Sequence, residues 1–237
     1  MTFLPILPEH SRGPVGLSCV MFAGLLFAAP CLAHGVSDRD TLFLLANEGP
    51  AIGPYAYLGA KHMVTGIDHL LFLAGVIFFL YRLKDVAVYV TLFALGHSAT
   101  LLTGVLAGIH FNPYLVDAII GLSVAYKAFE NMGGFKALGL NPNTRAAVAI
   151  FGLCHGFGLA TKLQSVSLSP DGLVANILSF NVGVELGQLV ALAAMLIVFT
   201  FWRRSGRFAS QAFAANWLLL TAGFVLMGYQ LTGYLLA

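Results

Sequence analysis

Four histidines of this chain, His62, His69, His97 and His155, fall inside long apolar stretches, and two carboxylates, Asp68 and Glu185, fall there with them. Neutral imidazole is the commonest protein ligand for transition metals, and a carboxylate offsets the charge of a divalent ion. Three such histidines with one or two carboxylates would suit nickel, cobalt, zinc or iron. His62 and His69 are seven residues apart, so on one continuous helix they share a face, with Thr65 between them and Asp68 beside it. His97 stands in Gly96-His97-Ser98 and His155 in Cys154-His155-Gly156. Asn181, Glu185 and Gln188 are spaced by four and by three, a polar stripe along one helix face. His69, His97, His155, Asp68 and Glu185 are therefore the expected ligands. His62 is either an entrance ligand or an interfacial residue. Asn181, Gln188 and Ser98 are expected to support the ligands and fix histidine tautomers, as Asp68 could also do.

The elements that position these residues follow from composition. The chain has 237 residues, of which 59% are hydrophobic and 9% charged. An ordinary soluble domain carries roughly 25% charged residues, so this chain cannot cover a globular surface with polar groups. It reads as an all-α, polytopic bundle in a lipid bilayer. The net charge is only +2, with no dense basic run, which argues against nucleic acid as a partner. Six apolar segments, near 56–80, 86–108, 114–132, 146–164, 173–201 and 213–235, each approach the ~20 residues that span a bilayer. Asn112-Pro113, Asn141-Pro142 and Ser169-Pro170-Asp171-Gly172 mark turns between them.

The first 33 residues read as a secretory signal peptide. Arg12 precedes an apolar stretch from Val15 to Ala29, and Cys31-Leu32-Ala33 offers small residues at a cleavage site. A short periplasmic segment, 34–55, then leads into the transmembrane domain, 56–237. Cleavage after Ala33 would make His34 the N-terminal residue, with an amine and an imidazole able to chelate a metal together. Asp38, Asp40 and Glu48 follow it. Cleavage also leaves Cys154 alone, without a disulfide partner.

Orientation is testable from the loops. With the mature N-terminus outside, the inner loops hold Arg82, Lys84, Lys136, Arg145, Arg203, Arg204 and Arg207, against Arg39, Lys61 and Lys162 outside. That asymmetry obeys the positive-inside rule and places both termini of the mature chain in the periplasm of a bacterial inner membrane.

A charge at the bilayer centre costs roughly 2.5–3.5 kcal/mol on insertion scales. Asp68, His69, His97, His155 and Glu185 come from four segments at similar depth, so convergence inside the bundle is the economical arrangement. The competing reading of each histidine is a hydrogen bond between helices. No CxxC or HExxH pattern is present, and coincidence in depth is the signal. Asp117, near the outer end of the third segment, is either an entrance carboxylate or solvated at the interface. Lys127 is placed to snorkel or to pair with Glu130.

Several segments resemble the HupE/UreJ family of small membrane proteins, and its less characterised branch in particular. They are Gly66-Ile67-Asp68-His69-Leu70-Leu71-Phe72-Leu73, Gly96-His97-Ser98-Ala99-Thr100-Leu101, Ser123 to Asn131, Phe151 to Ala160, and Phe180 to Gln188. Asp117 stands where the family commonly has glutamate. The resemblance implies a permease for a divalent metal of the nickel or cobalt type, linked to systems that supply hydrogenase and urease. It also implies Asp68, His69, His97, His155 and Glu185 as the polar core. Two other functions remain open. One is an intramembrane metal-dependent hydrolase, with zinc on the histidines and Asp68 or Glu185 as base. The other is a metal-binding or assembly protein that carries no flux. The chain shows no nucleotide-binding motif.

Overall fold

The computed structural model describes residues 49–165 and 170–237, and these form eight α-helices. The expected signal peptide, His34 and the rest of 34–48 lie outside the described residues. Four helices are long and apolar enough to cross a membrane singly: α3 (Leu83–Leu106), α6 (Thr144–Ser165), α7 (Leu173–Arg204) and α8 (Phe208–Leu236). A bent pair, α1 (Ile52–Thr65) and α2 (Ile67–Ile77), makes a fifth if counted as one span. The third expected segment is α4 (Pro113–Asn131), whose 19 residues include Asp117, Lys127 and Glu130. A one-turn helix, α5 (Gly134–Ala137), sits between α4 and α6.

The turn chemistry explains the helix starts. Asn112 caps α4, its side-chain oxygen accepting from Tyr114 N and Leu115 N, and Pro113 occupies the position where no N–H is needed. Asn143 caps α6 in the same way, accepting from Arg145 N and Ala146 N. Gly172 precedes α7 with φ 73°, a left-handed conformation that favours glycine. Asn176, on the first turn of α7, accepts from Ala51 N at 2.7 Å and donates to Gly49 O at 3.0 Å. It thereby fixes the start of α1 to α7.

The helices associate as three close pairs, each joined through glycine. Between α1 and α7, a methyl group at Gly59 would strike the Phe180 carbonyl, and one at Gly183 the Ala56 carbonyl. Between α3 and α6, a methyl at Gly152 would lie 2.5 Å from Phe93 O and one at Gly96 2.7 Å from Ala149 O. Between α4 and α8, Gly121 and Gly223 bring the two backbones together in the same manner. In lipid there is no hydrophobic drive between helices, so close backbone approach through small residues carries the association. Thr100 adds a polar link between α3 and α6, donating to Leu153 O at 2.7 Å. The outward faces are apolar, with Val182, Leu186, Leu189 and Val190 of α7 all exposed, as a bilayer-facing surface requires.

The expectation of a continuous first span is corrected by the structure. The helix breaks at Gly66 and turns by 63°. Gly66 N closes α1 on His62 O at 2.8 Å, and Gly66 O opens α2 by accepting from Leu70 N at 3.1 Å. A side chain at Gly66 would lie 3.2 Å from His69 Nδ1 and 3.3 Å from Asp68 Oδ1, so the polar pair packs where a Cβ would be. The short α2 is buried along most of its length. Its far end is held by Arg203 of α7, whose guanidinium donates to Ile77 O, Phe78 O and Leu80 O at 2.8, 2.7 and 2.9 Å. Ile77 O also accepts from Leu80 N at 3.0 Å, and a cation near a helix C-terminus is favourable.

Candidate metal centre

The break at Gly66 puts Asp68 and His69 in the first turn of a helix that starts inside the bundle. Both are buried, at 1% and 3% exposure, and His97 of α3 and His155 of α6 are equally enclosed, at 1% and 0%. His69 is the hub. Its ring centroid lies 4.8 Å from that of His155, 5.3 Å from that of His62 and 5.8 Å from that of His97. One ligand atom each from Asp68, His69 and His155 all lie within 4.8 Å of one another. Phe72 and Phe93 wall one side, their centroids 5.3 and 5.1 Å from that of His155.

The hydrogen bonds select tautomers. A carboxylate only accepts, so the 3.0 Å contact between His69 Nδ1 and Asp68 Oδ1 assigns the proton to Nδ1 and the lone pair to Nε2. Ser123 of α4 donates its hydroxyl proton to Ile120 O at 2.6 Å. Its 3.2 Å contact with His155 Nε2 then has the serine oxygen as acceptor, which assigns the lone pair of His155 to Nδ1. Two neighbours thus leave both histidines in a metal-binding tautomer.

The donor set fits a metal ion on a second ground. His69 Nε2, both ring nitrogens of His97 and Nε2 of His62 are buried without a hydrogen-bond partner among the described residues. A buried unpaired polar group costs about 1–3 kcal/mol, and four on adjacent rings is a concentration that packing alone does not explain. Neutral imidazole nitrogens around a carboxylate are a ligand set for borderline divalent ions.

The structure brings together Asp68, His62, His69, His97 and His155, and it sets Glu185 apart. Glu185 is exposed on α7, accepting from Ser98 Oγ at 3.2 Å and from Asn181 Nδ2 at 3.5 Å. Gln188 Nε2 approaches Val90 O at 3.5 Å. These side chains link α7 to itself and to α3, and none of these bonds reaches a histidine. Asp117 is buried rather than solvated, and Lys162 of α6 donates to its Oδ1 at 2.8 Å. At the opposite end of α4, Lys127 pairs with Glu130 at 2.6 Å, and Thr144 also donates to Glu130.

Sequence reasoning missed Ser123 as the partner of His155. The signal was available in the position of Ser123, mid-way along the third expected segment as His155 is along the fourth. It also missed the cap made by Arg203, which reads in sequence as a loop charge.

A family model described as HupE / UreJ protein matches residues 38–237. Neither a curated protein nor a solved structure matches the chain. A match across nearly the whole length, over the residues that build the break, the histidine cluster and the glycine-joined pairs, decides the classification: the chain belongs to the HupE/UreJ family.

Proposed function

We propose that this protein is a permease for a divalent transition-metal ion, nickel or cobalt in type, with zinc as a further candidate. The observation that carries the reading is the buried set of Asp68, His69, His97 and His155 at the start of a half-helix inside the bundle. Transporters place ion sites at broken helices near mid-membrane, where side chains and freed backbone groups converge. His62 is the neighbouring ligand on the α1 side of the break, and Glu185 a separate carboxylate at the α3–α7 surface that a passing ion would meet second.

The proposal includes six spans. The α1–α2 pair crosses as one broken span, and α4 crosses because its charges are neutralised in pairs, Asp117 with Lys162 and Lys127 with Glu130. A cleaved signal peptide and the basic loops then place both mature termini in the periplasm of a bacterial inner membrane. The membrane potential favours inward movement of a divalent ion by about 4.6 kcal/mol per 100 mV. Delivery to a metalloenzyme-maturation system would follow inside.

The test is metal content of the purified protein, wild type against His97→Ala and His155→Ala, followed by uptake into proteoliposomes. Stoichiometric metal in the wild type, its loss in both variants, and metal-selective uptake are expected. Metal bound without uptake would replace the permease by an assembly protein or an intramembrane hydrolase. No bound metal across nickel, cobalt, zinc, copper and iron would return the histidines to a role as contacts between helices.

A further inference from the structure

The ion pair between Lys162 and Asp117 stands in line with the histidine centre. Lys162 is seven residues beyond His155 on α6, which places it on the same helix face about 10 Å further along. Gly158 lies between them on that face, and a methyl group there would sit 3.6 Å from Asp117 Oδ1. That methyl would also crowd Ile120 Cδ1 at 3.0 Å and Val116 Cγ1 at 3.3 Å, so the bare Gly158 lets α4 pack close and sets the Asp117 carboxylate against α6 between His155 and the Lys162 ammonium. Both side chains are enclosed, at 13% exposure for Lys162 and 7% for Asp117. At the opposite end of α4, Glu130 holds both Lys127 and Thr144.

We propose that Lys162 is a tethered cation that closes one end of the metal path, occupying Asp117 until an incoming divalent ion displaces it and takes the carboxylate. A lysine suits this role because its ammonium is a compact point charge on a flexible stem, able to swing away without breaking backbone structure. Asp117 is then the first charged ligand of the path and Lys162 the residue that sets its threshold. The inference rests on the permease reading.

The experiment measures initial uptake of nickel(II), cobalt(II) and zinc(II) into proteoliposomes at subsaturating metal, together with equilibrium binding in detergent. Wild type, Lys162→Gln, Asp117→Asn and the double variant are compared. Lys162→Gln should raise the rate and Asp117→Asn lower it, each by about tenfold, as expected for adding or removing a charge on an ion's approach. Equilibrium stoichiometry should stay at the wild-type value in both. Opposite signs exclude a merely structural pair, whose loss would act alike from either side. The double variant leaves neither charge buried alone and should exceed Asp117→Asn and fall below Lys162→Gln, so one comparison remains decisive if either single variant does not fold. Equal effects of the two single variants, or a Lys162→Gln rate at or below wild type, would overturn the proposal and leave transport standing. A wild type that carries no metal would overturn transport itself.

Discussion

Along the α1–α7 interface, Gly59 and Gly183 meet helix carbonyls that their own helices already engage, and no space remains for a side chain. Seven residues further on from Gly59, at Gly66, the same α1 ends, the backbone turns by 63°, and buried ring nitrogens on His62, His69 and His97 lack hydrogen-bond partners among the described residues. The two regions share α1 but differ in what they satisfy. The glycine-joined pairs pack backbone against backbone, and the centre gathers unpartnered ring nitrogens from His62, His69 and His97 among the described residues. Functional sites are where the local rules of folding are broken, and a rigid frame makes the breach sustainable.

That contrast can be broken from the frame side with the largest effect. Gly183→Val drives a side chain into the Ala56 backbone, which cannot yield. A loss of about 3 kcal/mol or more is expected, enough to abolish monodisperse protein in size-exclusion chromatography. Gly228→Val on α8, where nothing lies within 4 Å, should leave the profile unchanged. From the side of the centre, the fold should survive and the chemistry should not. Asp68→Asn frees His69 to adopt the other tautomer, and metal affinity by competition with a chelator should fall about 10–100-fold with folded yield intact. The smallest effect sharpens the comparison. Ser123→Ala removes the acceptor for His155 Nε2, and affinity should fall by about tenfold, since ring packing against Phe72 and Phe93 still holds the imidazole.

The long helices were legible because hydropathy has a length requirement. Segments expected at 86–108 and 146–164 correspond to the apolar helices Leu83–Leu106 and Thr144–Ser165, and the segment expected at 114–132 is the helix Pro113–Asn131. Depth was legible for the same reason, since counting residues from a helix end places His97 and His155 at one level. Direction around the helix axis was not. Residues two apart on a helix point about 200° from each other. Once Gly183 and Gly187 face α1, Glu185 between them must face away from it, and the structure finds it on the α3 side, bonded to Ser98. Glycine pair and carboxylate were both visible in the sequence, but which of them would choose the face depends on packing. The break at Gly66 was hidden differently. A glycine within a helical run has a moderate cost and no fixed outcome, so only the packing of Asp68 and His69 around it decides that the helix stops.

The bend at Gly66 also has an electrostatic consequence. Each end of a helix carries roughly half an elementary charge, negative at the C-terminus and positive at the N-terminus. At this break the C-terminal end of α1 and the N-terminal end of α2 meet beside the histidine cluster. A cation there is drawn by one helix and repelled by the other, while Asp68 counters the repulsion from the first turn of α2. The two macrodipoles nearly cancel at one angle and unbalance at another. Flexing the break would therefore change the field at the cluster together with the spacing between His62 on α1 and the Asp68–His69 pair on α2.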